Sequence, residues 1–197
     1  MFLEIDTQNK RLKIPSLSKE VGGFLSFIIA LHHPKVIVEF GSGIGASVAW
    51  ALDAFRDGSP KNLFELFVLT ERRVDCCEAF QKLSWPDAIV PRLHFLAGDW
   101  DISKVSKVLN HKEVDLFIVD GQKSQYATVI EEIYPRMKVG GLVFIDNTNW
   151  ENEHKTDNVR RALLEMNEFL MKDPRFKYVH LPRVGDGVGL LLKKEVH

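Results

Sequence analysis

The sequence predicts an α/β fold in which helices cover both faces of a mostly parallel sheet. Short apolar runs rich in β-branched residues alternate along the chain with segments whose apolar residues recur at helical spacing. Parallel strands need helical crossovers between them, so this alternation favours a parallel sheet. The last two apolar runs flank Gly185-Asp186-Gly187 in the pattern of a hairpin, which requires at least one antiparallel strand at the sheet edge.

The individual elements follow from the spacing of apolar residues along the chain. Five apolar runs of strand length are predicted to form the parallel strands: 36–40, 66–70, 92–97, 114–119 and 142–145. Each is followed by a segment with helical periodicity, and one further helix precedes the first strand: 18–31, 44–55, 74–83, 102–109, 126–137 and 159–170. Gly140-Gly141 is expected to end the helix over 126–137.

Length, charge and cysteine content narrow the class of protein. Residues 1–197 are expected to form a single domain, since this length suffices for one substantial core. The net charge of −1 gives no basic field for nucleic acid, and no apolar run approaches the ~18 residues of a membrane span. The two cysteines, Cys76 and Cys77, are neighbours, so a disulfide framework is not expected. A reducing cytoplasm, with both thiols buried as small apolar groups, is the predicted setting.

A glycine-rich turn directly follows the first predicted strand. Gly41, Gly43 and Ala46 fit the dinucleotide-binding fingerprint, but the candidate acidic residue Glu71 lies 30 positions beyond Gly41. The dinucleotide pattern places that acid about 20 residues on. Glu39 lies two residues before the first glycine, where its charge would repel a pyrophosphate and attract a cation. S-adenosylmethionine carries an ammonium group and no phosphate, so the turn favours that ligand over NAD.

Two further rim positions have both a functional and a structural interpretation. Glu71 follows the second strand, where a carboxylate can accept two hydrogen bonds from a ribose diol, or can pair at the surface with Arg72 or Arg73. Gly98-Asp99-Trp100 follows the third strand, where an adenine ring would lie. Trp100 is expected either to form an aromatic wall there or to belong to the core.

Six stretches of the chain occur in the order typical of one enzyme family. They are EFGSGIGAS (39–47), LTERRVDCC (69–77), AGDW (97–100), VDGQKSQY (119–126), MKVGGLVFIDN (137–147) and PRFKYVHLPRVGDGVGLLLKK (174–194). Together they resemble the metal-dependent O-methyltransferases, which include catechol and caffeoyl-CoA O-methyltransferases, over roughly residues 18–194. The resemblance implies a Rossmann-like sheet of seven strands, mostly parallel with the last strand antiparallel, in one S-adenosylmethionine-dependent methyltransferase domain. It also implies a homodimer.

The resemblance assigns a cofactor site at the rim of the sheet. Glu39, Gly41, Gly43 and Ser47 match cofactor positions of the glycine turn, Glu71 matches the ribose-binding acid, and Trp100 matches a position beside the adenine. The remaining predicted contacts are Ser42, Gly45 and Asp99, which lie next to these positions, and Asp120, which is expected to lie between the metal and the methyl donor.

The resemblance also assigns a metal and a catalytic base. Acidic residues after strands often cap the next helix or turn, so their position alone would be weak evidence for a metal site. The family's ligands for a divalent cation, with Mg²⁺ expected, nevertheless match Asp120, Asp146 and Asn147. Lys123 matches the catalytic lysine and, with Asp120, forms the predicted catalytic pair. A lysine at a helix start faces the positive end of the helix dipole, which favours a functional role over a solvated surface position.

These observations predict an S-adenosylmethionine-dependent O-methyltransferase acting on a small hydroxylated acceptor, of which a catechol is one candidate. The alternatives are a non-catalytic S-adenosylmethionine-binding protein, a methyltransferase for another substrate class, and a nicotinamide-dependent oxidoreductase. The loop over 148–157, with Trp150 and His154, is expected to line the acceptor site. An acidic residue that holds the second hydroxyl in catechol O-methyltransferase is expected to correspond to Lys177, so that contact would be missing here.

Overall fold

The computed structural model describes residues 1–55, 63–149 and 157–195. It has one seven-stranded sheet in the order β3-β2-β1-β4-β5-β7-β6. All neighbouring strands are parallel except β7, which is antiparallel to both β5 and β6. The strands are β1 Val36–Phe40, β2 Leu66–Glu71, β3 Leu93–Ala97, β4 Val114–Val119, β5 Met137–Asp146, β6 Phe176–Leu181 and β7 Val188–Lys193. The predicted fold class, with the hairpin around Gly185–Gly187, is therefore confirmed.

Helices pack on both faces of this sheet, as predicted. They are α1 Phe2–Leu12, α2 Lys19–His32, α3 Ala46–Ala54, α4 Val74–Gln81, α5 Ile102–Leu109, α6 Tyr126–Ile133 and α7 Asp157–Lys172. Successive side chains of a strand point to opposite faces, and β1 shows the result. Val38 belongs to the core cluster that contains α5, α6 and α7, whereas Ile37 belongs to the cluster that contains α2, α3 and α4.

The prediction that Gly140-Gly141 ends a helix is wrong. The helix α6 ends at Ile133, and both glycines lie inside β5. Gly140 has a φ of +81°, and a Cβ on Gly141 would lie 2.9 Å from the carbonyl oxygen of Val114. The glycines therefore form an irregularity in the strand, next to a shift in the pairing of β4 with β5. Met137 caused the error, because a buried apolar residue satisfies the helical stripe and the strand equally well.

The first helix, α1, is not indicated by the sequence pattern. Its buried side chains are Ile5 and Asn9, so its inner face carries a polar residue where a regular amphipathic helix would carry an apolar one. Ile5 packs in a small cluster with Ile44, from the turn after β1, and with Cys76 of α4. The helix consequently lies over the glycine turn.

Several general expectations can be compared with the described part of the chain. Cys76 and Cys77 are both buried with free thiols, as predicted. Among the described helices, none is long and apolar enough to cross a membrane. The homodimer stays a prediction.

Candidate cofactor and acceptor site

A cavity of about 570 Å³ opens at the carboxyl ends of the central strands. This volume is typical of pockets that hold a small organic ligand, and the position matches the ligand crevice of open α/β sheets. Nine of the ten predicted cofactor residues line it: Glu39, Gly41, Ser42, Gly43, Ser47, Glu71, Asp99, Trp100 and Asp120. Lys123 and Asn147 also line it. One cavity thus joins the predicted cofactor residues to most of the predicted catalytic and metal residues.

The glycines of the first turn bring two stretches of backbone together beneath this cavity. Gly41 has a φ of +86°, and a Cβ there would lie 2.3 Å from the Cα atom of Gly121. A Cβ on Gly121 would in turn lie 2.5 Å from the ring of Phe40. The turns after β1 and β4 therefore touch, which only residues without side chains allow. Gly45 lies outside the cavity wall, and its lack of a side chain leaves room for the ring of Phe80.

Glu39 is a buried carboxyl group at the base of the cavity. Its side chain accepts a 2.5 Å hydrogen bond from the hydroxyl of Ser47, on the first turn of α3. Burial raises the pKa of Glu39 to about 8, against the hydrogen bond from Ser47, which lowers it. The negative charges of Asp120 and Glu71 raise the pKa further. Without a cation beside it, Glu39 is thus mostly protonated at pH 7.

Glu71 is held by backbone groups rather than by the neighbouring arginines. Its carboxylate accepts hydrogen bonds from the amide groups of Gly43, at 2.9 Å, and Arg73, at 2.8 Å. The Arg73 guanidinium binds Asp75 at 2.6 Å, and that of Arg72 binds Gln122 at 2.9 Å. The two backbone bonds fix the carboxylate at the cavity wall, and each of its oxygens retains a lone pair for a ligand hydroxyl.

Trp100 meets both interpretations of its position. The ring lies edge-on to Phe40, with 5.6 Å between centroids, and packs against the core cluster that contains α5, α6 and α7. Its indole nitrogen donates a 2.6 Å hydrogen bond to Glu132, and the residue also lines the cavity beside Asp99. The core therefore holds one aromatic wall of the cavity in place.

Asp120 and Lys123 form an ion pair at the end of β4. The Lys123 ammonium lies 3.2 Å from Oδ1 of Asp120, and the lysine side chain is only 11% exposed. The same ammonium lies 5.1 Å from the ring centroid of Tyr126, within the range of a cation–π interaction. Burial raises the pKa of Asp120, while the charge of Lys123 opposes that rise. The lysine is therefore aimed at the cavity and not at bulk solvent.

The end of β5 places a second buried carboxyl group and a strained asparagine beside that pair. Asp146 is 4% exposed and accepts a 2.8 Å hydrogen bond from the amide of Asn147. Burial, together with the negative charge of Asp120, raises the pKa of Asp146 to about 7. Asn147 adopts a left-handed φ of +58°, which is uncommon for a residue with a side chain. It lines the cavity, whereas Asp146 lies behind the wall.

The predicted metal ligands are two carboxylates and one amide. In the part of the chain that the structure describes, no three histidine, cysteine or acidic side chains cluster as metal ligands. The charge of Asp120 nevertheless adds to burial in raising the pKa of Asp146, and a divalent cation bound between two such carboxylates would offset their repulsion. The hydroxyl of Tyr126 is buried without a hydrogen-bond partner among the described residues, and its pKa is raised by that burial and further by the charges of Asp120 and Asp146. This all-oxygen set fits Mg²⁺ or a similar hard cation.

Comparison with known proteins decides the family. The family model described as O-methyltransferase matches residues 2–194. The chain belongs to the O-methyltransferase family. Tapetum-specific methyltransferase 1 of Arabidopsis thaliana is 31% identical over 179 residues, which cover 85% of this chain and 73% of the relative. Caffeoyl-CoA O-methyltransferase of Medicago sativa is 30% identical over 194 residues, covering 89% and 73% of the two chains.

Solved structures confirm the fold of this O-methyltransferase. The O-methyltransferase of Bacillus cereus in complex with SAH has a TM-score of 0.74 and 17% identity, covering 96% of this chain and 89% of that one. The predicted family, the Rossmann-like fold and the enzyme class are thus confirmed. The roles of individual site residues stay predictions.

A hydrogen-bonded network behind Asn147 is not predicted from the sequence. Asn167 of α7 donates a 2.9 Å hydrogen bond to the carbonyl oxygen of Thr148 and accepts a 2.5 Å bond from the hydroxyl of Tyr178. The amide of Thr148 donates to the carbonyl oxygen of Gly187 at 3.0 Å. Together α7 and the hairpin hold the turn that presents Asn147. The sequence signal that could have indicated this network is Asn167 itself, a polar residue next to Met166 on the buried face of α7.

The acceptor side differs from the prediction at Lys177. That residue is exposed and pairs with Leu192 of β7. Leu192 pairs in turn with Leu142, which lies four residues before the end of β5, so Lys177 is far from the rim. His180 lies three residues further along β6, level with Ile145, with Nε2 3.0 Å from the hydroxyl oxygen of Thr148. Lys177 is too far down the sheet to take part in an acceptor site. Trp150 and His154 lie outside the described residues.

Proposed function

We propose that this O-methyltransferase uses S-adenosylmethionine to methylate a hydroxyl group of a small acceptor, with the assistance of a divalent cation. The observation that carries the proposal is the set of residues that line the cavity described above. Two carboxyl groups suited to the cofactor, Glu39 and Glu71, line it at the ends of β1 and β2. Asp120, Lys123 and Asn147 line the same cavity just after β4 and β5.

The cofactor assignment depends on the charge and position of the two glutamates. Glu39 would face the ammonium group of the methionine moiety, whose positive charge favours the ionised carboxylate. Glu71 would accept the hydroxyl groups of the ribose, since its backbone partners leave lone pairs free on both oxygens. A pyrophosphate in the same turn would meet the negative charge of Glu39, so the geometry disfavours a nicotinamide cofactor.

The catalytic assignment depends on a proton that must leave the acceptor hydroxyl. In its neutral amine form Lys123 would take that proton at Nζ, and as the resulting ammonium beside Asp120 it would stabilise the oxygen anion. Asp120, Asp146 and Asn147 would hold the divalent cation. A bound cation lowers the pKa of a coordinated oxygen and fixes its orientation. The presence of this complete set argues against a protein that merely binds the cofactor.

The acceptor is proposed from the relatives and from the donor set together. Relatives bear the names caffeoyl-CoA O-methyltransferase and flavonoid 3',5'-methyltransferase, both of which denote phenolic acceptors. A phenol with two adjacent oxygens would suit the site best, because both oxygens can approach one cation. A methyltransferase for nucleic acid is disfavoured by the net charge of −1.

Isothermal titration calorimetry tests the cofactor assignment. We expect S-adenosylmethionine and S-adenosylhomocysteine to bind with micromolar dissociation constants, and NAD to give no heat of binding. Glu71→Ala should weaken both adenosyl ligands by about 1.5–3 kcal/mol, the range for hydrogen bonds to a charged group. Glu65→Ala, which removes an exposed glutamate paired with Lys112, is the matched control and should bind like the parent. Tight NAD binding by a chain that ignores S-adenosylhomocysteine would contradict the proposal.

The raised pKa of Glu39 predicts that cofactor binding releases a proton. At pH 7 the carboxyl group, with a pKa of about 8, is mostly protonated before binding. The ammonium group of the ligand favours ionisation, so binding should expel up to about one proton at pH 7 and far less at pH 9.5. Titrations in buffers of different ionisation enthalpy measure this number. Glu39→Gln should lose the pH-dependent part of the release, whereas equal release by parent and variant would show that Glu39 does not titrate on binding.

A further inference from the structure

We propose that Asn9 of α1 is a cofactor-binding residue, whose carboxamide forms a hydrogen bond with the ribose of S-adenosylmethionine. This inference rests on the proposed function and adds a recognition residue from the first helix. It gives α1 a part in ligand binding as well as in packing.

The side-chain oxygen of Asn9 is buried without a hydrogen-bond partner among the residues that the structure describes. Only 6% of the residue is exposed, and Oδ1 has no hydrogen-bond partner among the described residues. A buried polar atom left unpaired costs about 1–3 kcal/mol, so such atoms are rare unless a ligand or water completes them. Asn9 also lines the cavity described above. The unpaired oxygen is therefore placed where a ligand would meet it.

Contacts around Asn9 place it near the nucleoside part of the cavity. The carbonyl oxygen of Asn9 accepts a 3.0 Å hydrogen bond from the amide of Ile14, which packs over Gly43. One turn earlier on α1, Ile5 packs in the same cluster as Cys76, which lines the cavity as Glu71 does. The last turn of α1 is tied to the same region, because the Arg73 guanidinium donates a 3.1 Å hydrogen bond to the carbonyl oxygen of Leu12.

The chemistry of a ribose diol calls for more than Glu71 can supply. Each hydroxyl can donate one hydrogen bond and accept another, whereas a carboxylate only accepts. The bonds from the backbone amides of Gly43 and Arg73 leave Glu71 lone pairs for the diol, but Glu71 has no donor for either hydroxyl. A carboxamide offers a donor and an acceptor in one plane, and can present either one by rotating the amide. Asn9 thus complements Glu71 at the diol.

The test compares two ligands and two matched variants by calorimetry. S-adenosylhomocysteine contains the nucleoside and the amino-acid group, whereas 5'-methylthioadenosine retains the nucleoside alone. Asn9→Leu preserves most of the side-chain volume but removes the amide. Gln8→Leu is the control, because Gln8 is the neighbouring residue on α1 and does not line the cavity, and its buried amide oxygen also has no partner within the described part of the chain.

We expect Asn9→Leu to weaken both ligands by the same factor, about 3- to 10-fold, as for the loss of one neutral hydrogen bond. The melting temperature of the ligand-free variant should be equal to or above that of the parent, since a buried carboxamide whose oxygen lacks a partner has been replaced by an apolar group. Gln8→Leu should leave both affinities unchanged. If Asn9 had only a structural role, Asn9→Leu would not bind the ligands more weakly while melting at or above the temperature of the parent.

Three results would overturn the inference. Unchanged affinity of Asn9→Leu for both ligands would remove Asn9 from the site. Weaker binding of S-adenosylhomocysteine, with unchanged binding of 5'-methylthioadenosine, would place the amide of Asn9 at the amino-acid group and not at the ribose. An equal loss in Gln8→Leu would indicate general loosening of α1. If the parent itself bound neither ligand, the cofactor assignment would fail, and this inference with it.

Discussion

Replacing Lys123 by alanine is expected to reduce turnover by about 10²–10⁴-fold while cofactor and metal binding persist. The acceptor hydroxyl must lose its proton before or during methyl transfer, and the Lys123 ammonium group is 3.2 Å from Asp120 inside the cavity wall. Steady-state rates at saturating acceptor, together with calorimetry of S-adenosylhomocysteine, separate loss of chemistry from loss of binding.

Two further variants assign the role of the lysine. Lys123→Arg keeps the positive charge but cannot lose a proton at ordinary pH, so it should stay slow if Lys123 moves the proton. Lys138→Ala removes another lysine of an ion pair, 3.4 Å from Asp115 and outside the cavity wall, and should be as fast as the parent. A Lys123→Ala enzyme with parental turnover would exclude the proposed base.

Replacing Asp146 by alanine or asparagine is expected to abolish turnover and its dependence on a divalent cation. Affinity for S-adenosylhomocysteine should stay within a few fold, because Asp146 lies behind the cavity wall and the predicted cofactor contacts come from other strand ends. The assay is turnover as a function of Mg²⁺ concentration, with calorimetry of the cofactor product in parallel.

When ligand and metal are absent, Asp146→Asn should be more stable than the parent. The pKa of Asp146 is raised from 3.8 to about 7, so between these values the folded chain holds a proton that the unfolded chain has lost. The stabilising effect of that proton is fully present below pH 3.8 and is lost as the pH rises through 7. At pH 8 the parent contains a buried, repelled carboxylate that Asp146→Asn lacks. The melting temperature of the variant should therefore exceed that of the parent at pH 8, with the gain shrinking toward pH 4.

Asp173→Asn is the matched control for this stability effect. Asp173 is also buried, but its hydrogen bonds with Arg175 lower its pKa, so its ionised form stabilises the fold above its ordinary pKa. Its asparagine variant should melt below the parent at pH 8 and, since Asp173 does not line the cavity, catalyse at the parental rate. A destabilised Asp146→Asn protein at pH 8, or one that keeps its response to Mg²⁺, would contradict the proposed role of Asp146.

The parts of the fold that could be predicted are those that depend on regular burial. The β1 strand is buried at all five positions, and α6 buries Tyr126, Val129, Ile130 and Ile133, so their local patterns match their final environments. The strand-end residues were predictable for a related reason, since parallel strands bring their carboxyl ends to one rim. The boundary between α6 and β5 could not be predicted, because Met137 would be buried in a helix or in a strand. Its pairing with Val114 of β4 makes it part of the strand.

The polar residues inside the fold show where sequence patterns stop being informative. Asn9 and Asn167 lie on buried helix faces, yet an asparagine in a helical stripe carries no local sign of what it will contact. The bond between Glu71 and the amide of Gly43 joins residues 28 positions apart. It exists only because β1 and β2 are neighbours in the sheet. Such contacts depend on tertiary packing, which also decides whether a rim carboxylate faces a ligand or an arginine.

Methyl transfer from labelled S-adenosylmethionine to a panel of catechols, flavonoids and hydroxycinnamates, with Mg²⁺ and with EDTA, tests the central claim most directly. The proposed site predicts label on an oxygen of an acceptor that has two adjacent oxygens, lost in EDTA and restored by added Mg²⁺. Transfer that continues undiminished in EDTA, or label on nitrogen or carbon in place of oxygen, would contradict metal-assisted O-methylation by this cavity.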